Sequence, residues 1–131
     1  MLKYLIIVII LIPLCYIFEL PDVDGSDLHH PTYDEMMCFL ESDTTDLNEY
    51  NNSYNCRTFT NDLIRNARKQ DIQSGFVSLD IANSSIYHSA VAFFTDRGIY
   101  IVEPQTDDFI VVNDYENYEI EWNPRLYDVD R

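Results

Sequence analysis

The sequence predicts an α+β fold in which N-terminal helices pack on an antiparallel β-sheet. Three observations predict it. Helix-start signals and apolar spacings of three and four occur between Thr32 and Lys69, alternating strand patterns begin at Gly75, and turn residues separate those strands closely enough for hairpins. With 131 residues the chain has room for one domain. Hydrophobic residues make up 47% and aromatics 14%, including ten tyrosines, a composition that buries a core and favours strands.

The first element is a targeting or anchoring segment over residues 1–20. Lys3 precedes an uninterrupted apolar run from Tyr4 to Phe18, and acidic residues begin at Glu19. A basic start before an apolar stretch directs the remainder of the chain out of the cytoplasm. The run suits a single transmembrane anchor if Leu2 and Leu20 extend it. It also suits a secretory signal cut after Gly25, with Val23 three positions from the cut. Leu14, bulky and directly before Cys15, argues against a lipoprotein site. Both readings place the domain outside the cytoplasm, membrane-anchored or secreted.

Residues 21–31 read as a polar linker rich in Asp and Pro, with His29 and His30 as solvated neighbours, and 32–131 as the domain. Thr32 and Glu35 form a capping box, and Tyr33, Met36, Met37 and Leu40 recur at helical spacing, which predicts a helix from Tyr33 to Glu41. The Asp- and Asn-rich stretch from Ser42 to Tyr54 predicts a loop. A second helix begins at Cys56, where Phe59, Thr60, Leu63 and Ala67 share its face and Arg65, Arg68 and Lys69 complement its C-terminal dipole.

From Gly75 the period changes. Val77, Leu79 and Ile81 alternate with Ser78 and Asp80 in a half-buried strand, and Asn83 to Ser85 turn the chain. His88 opens an apolar run, Ala90 to Phe94, that suits a central strand. Asp96-Arg97-Gly98 is a hairpin turn, Ile99 to Val102 the returning strand and Pro104 its stop. Phe109 to Val112 and the alternating Tyr118 to Trp122 are expected to complete the sheet.

The formal net charge of −15 repels phosphate backbones and anionic headgroups, so nucleic acid is not an expected partner and membrane attachment falls to the N-terminal helix. No cofactor motif is present. Cys56 and His88 lack the second close-spaced ligand pair that a metal site needs.

The chemistry concentrates in three residues. A helix N-terminus stabilises a thiolate through its free N–H groups and dipole, and Cys56 opens the second helix. His88 begins the central strand, beside the sheet surface on which that helix is expected to pack. Glu103 ends the next strand, where a carboxylate fixes an imidazole tautomer. With Asp96-Arg97 as a two-residue loop, Glu103 pairs with Ala90, one same-face step from His88; a three-residue loop ending at Gly98 turns Glu103 to the other face unless a bulge intervenes. Residue types and spacing alone leave both open. Candidate oxyanion donors upstream of the Cys56 N–H are Asn51, Asn52 and Tyr54. The plain alternative is a buried structural cysteine, or a Cys38–Cys56 disulfide in an oxidising compartment.

The stretch from Pro31 to Asp107 resembles the transglutaminase-like domain of archaeal and bacterial secreted or membrane-tethered proteins, a branch of the papain-type cysteine enzymes. The resemblance rests on Pro31-Thr32-Tyr33-Asp34-Glu35, Phe39-Leu40, Asp43-Thr44-Thr45-Asp46, Asn48-Glu49-Tyr50, Tyr54-Asn55-Cys56 with Phe59, and Leu63 to Ala67. It continues through Ile72 to Val77, His88 with Ala92-Phe93, Thr95-Asp96-Arg97-Gly98, and Glu103-Pro104 with Thr106, which is similar to the Asp-Pro-Thr bearing the family's acid. It implies Cys56, His88 and Glu103 as a catalytic triad. Three departures stand out: Thr58 where an aspartate commonly follows the nucleophile by two, Ser89 in place of a small alanine, and Glu103 for aspartate.

The expected function is thiol-dependent acyl transfer on extracytoplasmic peptide or amide bonds of a protein or peptide substrate, as a peptidase, amidase or transglutaminase-like enzyme. The alternative is a binding module at the cell surface that keeps the fold without catalysis.

Overall fold

Thr32 starts the first helix, α1 (Tyr33–Ser42), through the capping box that the sequence announces. Its hydroxyl accepts from the Glu35 N–H at 3.1 Å, and the Glu35 carboxylate accepts from the Thr32 N–H at 2.8 Å. The computed structural model describes residues 28–81, 83–115 and 117–124. The anchor segment 1–20 and linker residues 21–27 lie outside them. Among the described residues no helix is long and apolar enough to cross a membrane. The end of the predicted linker belongs to the domain: the His29 N–H donates to the Asp71 carbonyl, its carbonyl accepts from the Gln73 N–H, and Pro31 is fully buried.

The second helix, α2 (Cys56–Lys69), is capped by Asn55, whose Oδ1 accepts from the Arg57 N–H at 3.1 Å. A 3₁₀ turn, Thr45–Leu47, lies between the helices within the predicted loop. Asp43 anchors it, accepting from the Thr45 N–H with one oxygen and from Asn66 of α2 with the other.

Four antiparallel strands follow: β1 (Gly75–Asp80), β2 (Tyr87–Thr95), β3 (Gly98–Val102) and β4 (Asn117–Trp122), in the order β3-β2-β1-β4. β2 is therefore central, as its apolar run predicts. The returning strand runs from a two-residue loop, with Thr95 opposite Gly98 and Val91 opposite Val102. Gly98 closes that turn at φ +115°, a conformation suited to glycine. The turn also docks on α1: Asp96 accepts from the Tyr33 N–H at 2.7 Å, and Arg97 lies 4.5 Å over the Tyr33 ring.

Both sheet faces are covered. On one, Met36, Phe39, Leu40, Leu63, Ile64 and Ala67 of the helices meet Val91, Phe93 and Val102. On the other, Val77, Leu79, Ala90, Ala92 and Ile101 form a second core under Ile110, Val112, Tyr115, Ile120 and Trp122. This corrects one expectation. Phe109 to Val112 is not a strand of the sheet; only Phe109 bridges Val102, and the segment then folds across the sheet face into a 3₁₀ turn at Val112–Asp114. Ile110 and Val112 cover the second core, while Phe109 meets Tyr33 and Tyr100 and Val111 is exposed, so the segment has a strand-like composition without a strand's pairing. β4 crosses instead to β1, where Gly75 admits it: a Cβ there would stand 2.7 Å from Ile120 Cγ2.

Candidate active site

The N-terminus of α2 meets the sheet where β3 has ended. In an antiparallel ladder alternate residues direct their backbone groups to one neighbour. Val91 faces Val102 in this way, while Glu103 has turned outward, its N–H donating to the Asp108 carbonyl at 2.8 Å. Continued two residues further, the register would set Pro104 opposite Ser89, and proline has no N–H to pair. The first residues of β2 therefore have an open edge, and Cys56 lies against it.

Side-chain alternation sorts the residues at that edge. Ser89 follows Val91 and Phe93 onto the helix-facing side, whereas His88 follows Ala90 and Ala92 onto the other. His88 therefore starts the strand on the opposite side from Ser89, and its imidazole is hydrogen-bonded to Cys56. Glu103 shares the His88 face, as the two-residue loop requires.

His88 Nε2 and Glu103 Oε2 are hydrogen-bonded, with both side chains about four-fifths buried (20% and 19% exposed). An ionised carboxylate only accepts, so Nε2 carries a proton and Nδ1 is left to the thiol. The second carboxylate oxygen of Glu103 accepts from the Gln105 N–H at 3.2 Å, and the Glu103 carbonyl accepts from the N–H groups of Thr106 and Asp107. The acid is held by its own loop.

Cys56 is a free thiol, and Cys38 is disulfide-bonded, so the two are not joined to each other. Burial pushes the Cys56 thiol up, but hydrogen bonds from the Ser89 side chain and backbone, together with the charge and hydrogen bond of His88, outweigh it and bring it below the ordinary value. His88 moves the other way. The hydrogen bond to Glu103 raises it more than burial lowers it, and the Glu103 and Cys56 charges add to the rise. Both shifts run in the direction that favours a thiolate–imidazolium pair.

A cleft of about 370 Å³ opens over the pair, lined by Tyr50, Cys56, Ile81, Ile86, Tyr87, His88 and Gln105. Its walls come from the loop before α2 and from the β1–β2 hairpin. Apart from the Cys–His pair its lining carries no charge, although the chain as a whole is strongly acidic.

The three predicted oxyanion candidates stand apart from this lining. Asn51 turns its Oδ1 to the N–H groups of Ser53 and Tyr54, forming a local turn. Tyr54 donates its hydroxyl proton to Asp62 at 2.5 Å and accepts from Asn48. Burial and then that carboxylate push the pKa of the Tyr54 hydroxyl up, so the proton is firmly held. Asn52 is exposed. Gln105, which sequence reasoning did not single out, lines the cleft, and its side chain makes no hydrogen bond among the described residues. The signal was its place two residues after Glu103.

Among the described residues no group of three or more His, Cys, Asp or Glu side chains is arranged to hold a metal ion. His29 pairs with Glu35 at 3.4 Å and His30 packs edge-on against Phe94 and Trp122. Comparison with family models, with curated proteins and with solved structures finds no match.

Proposed function

We propose that this chain is a thiol-dependent acyl-transfer enzyme of transglutaminase-like type, a peptidase or amidase acting outside the cytoplasm. The observation that carries the reading is the linked set Cys56–His88–Glu103, with the thiol lowered and the imidazole raised at the floor of an open cleft. The resemblance of Pro31–Asp107 to that family's motifs supports the same order of roles.

The reaction follows from the residues. His88 Nδ1 takes the Cys56 proton, and the thiolate attacks the carbonyl carbon of an amide to form a C–S bond. The oxyanion that develops meets the Cys56 N–H, unpaired within its own helix as a first-turn donor, and the Gln105 amide. The tetrahedral intermediate collapses, the C–N bond breaks, and His88 gives its proton to the departing amine. Water or a second amine then attacks the thioester with His88 as base, releasing the acyl group and the thiol. Glu103 keeps the imidazole in the tautomer that this cycle needs.

The uncharged walls of Ile81, Ile86, Tyr87 and Tyr50 suit an acyl donor with a bulky uncharged side chain beside the scissile bond. The test is hydrolysis of a peptide library by the purified protein and by Cys56→Ala. Cleavage that vanishes in the variant is expected; full cleavage by the variant refutes the assignment. A folded wild type that cleaves nothing and carries an unreactive Cys56 points to the binding-module reading.

A further inference from the structure

Two buried hydroxyls lie beside the thiol and have no part in the triad. Ser89 is 7% exposed and Thr60 is fully buried, each on the face where the helices meet the sheet. A hydroxyl in such surroundings costs free energy unless it is bonded. Thr60 Oγ1 donates to Ser89 Oγ at 3.2 Å. With its oxygen accepting, Ser89 has one proton left to give, and Cys56 is the group that its hydroxyl meets.

The Ser89 backbone reaches the same atom for a separate reason. Its N–H belongs to the row that Val91, Phe93 and Thr95 direct at β3. β3 stops before it can supply an acceptor, since Pro104 ends the strand opposite Ser89. An N–H left over at a strand edge in the interior needs a partner, and the sulfur of Cys56 accepts it. Two donors from one residue thus converge on the sulfur that also meets His88. His88 is the titratable neighbour of that sulfur, and Glu103 acts on it only through His88.

We propose that Ser89 is a catalytic residue, a two-donor cradle for the Cys56 thiolate, and that Thr60 is a positioning residue that turns the Ser89 hydroxyl towards the sulfur. The use of that thiolate in acyl transfer rests on the function proposed above, but the cradle itself does not. Ser89, a departure from the alanine of the resembling family, is then a gain for the nucleophile.

The test needs no substrate. Alkylation of Cys56 by iodoacetamide is followed by peptide mass mapping across pH in the unreduced protein, for wild type, Ser89→Ala, Ser89→Thr and Thr60→Val. Loss of one hydrogen bond to an anion raises the Ser89→Ala midpoint by about one pH unit, with alkylation at low pH about tenfold slower. Thr60→Val, which keeps the shape of the side chain, shifts it the same way by less, and Ser89→Thr restores the wild-type profile. A depressed wild-type midpoint that Ser89→Ala leaves unmoved overturns the cradle and spares the acyl-transfer reading. If Ser89→Ala does not fold, Thr60→Val decides: an unmoved midpoint there overturns the relay and with it the oriented hydroxyl. Loss of peptide cleavage in Cys56→Ala bears on the function alone, so the two failures are distinguishable.

Discussion

Glu103 accepts a hydrogen bond from His88 Nε2 across the end of a hairpin whose last ladder pair is Val91 and Val102. The relationship is set by the Asp96-Arg97 turn far from the site: one residue more in that loop would turn Glu103 to the helix-facing side and leave the imidazole without its orienter. Gln105 and the tight loop to Asp108 then fix the carboxylate from behind. A distant turn thus decides the tautomer of the proposed base.

Glu103→Gln tests that dependence. The amide keeps the side chain's shape but removes the charge that raises His88 and permits the wrong tautomer. Acyl transfer is expected to fall by about 10²–10⁴-fold, with the protein still folded. The NMR titration midpoint of the His88 ring should fall in parallel. An unchanged midpoint with unchanged turnover would remove Glu103 from the site.

Asp107 gives a pH dependence of stability. It sits at φ +63° with Oδ1 buried and unpartnered among the described residues. Burial first, and then the charges of Asp46, Asp43 and Asp108, push its carboxyl up to about 7. A carboxyl raised on folding binds its proton more tightly in the native state, so stability is highest below the unfolded value and declines as pH rises through about 7. Asp107→Asn removes that decline and suits a left-handed backbone. A gain of about 1–2 kcal/mol above pH 7, reduced for partial exposure, and none at acid pH is expected in urea titrations.

Tyr54→Phe separates structure from catalysis. It deletes the bond to Asp62 and should cost about 1–2 kcal/mol of stability. Turnover of the folded variant should stay within a few-fold of wild type, because that hydroxyl is committed away from the cleft. A large loss of kcat at unchanged stability would return Tyr54 to the oxyanion candidates.

Ile86→Ala and Tyr87→Ala test the cleft. Ile86 is 63% and Tyr87 71% exposed, so truncation leaves the core intact. Peptides with a bulky apolar side chain at the scissile bond should lose about 10-fold or more in kcat/KM, whereas peptides with a small one change little. Equal losses for both would place these residues outside the binding site.

The starts of both helices were legible, because a capping box and an apolar face at helical spacing act over a few residues, as Thr32 with Glu35 and Phe59 with Leu63 do. Residue types and spacing left the length of the Asp96-Arg97 turn open, and the register that sets Glu103 beside His88 was decided only in the fold. Neighbour relationships were not legible. The alternation of Tyr118 to Trp122 predicts a strand but does not say that β4 will pair with β1, and Phe109 to Val112 has a strand's composition although only Ile110 and Val112 pack on the sheet. Period alone also leaves open which face a residue takes relative to the helices. That Gln105 lines the cleft and that Ser89 meets Cys56 was not legible, because both depend on where β3 stops.

The account rests on Cys56 being held below the ordinary thiol value, by the Ser89 hydrogen bonds first and by His88 beside it. The most direct measurement is the alkylation rate of Cys56 at pH about 6, where ordinary thiols barely react, in wild type and in His88→Ala. Reaction in the wild type, slowed about tenfold or more in the variant, is the predicted result. A wild-type thiol that reacts only as pH approaches about 9, or one indifferent to the loss of His88, would contradict it.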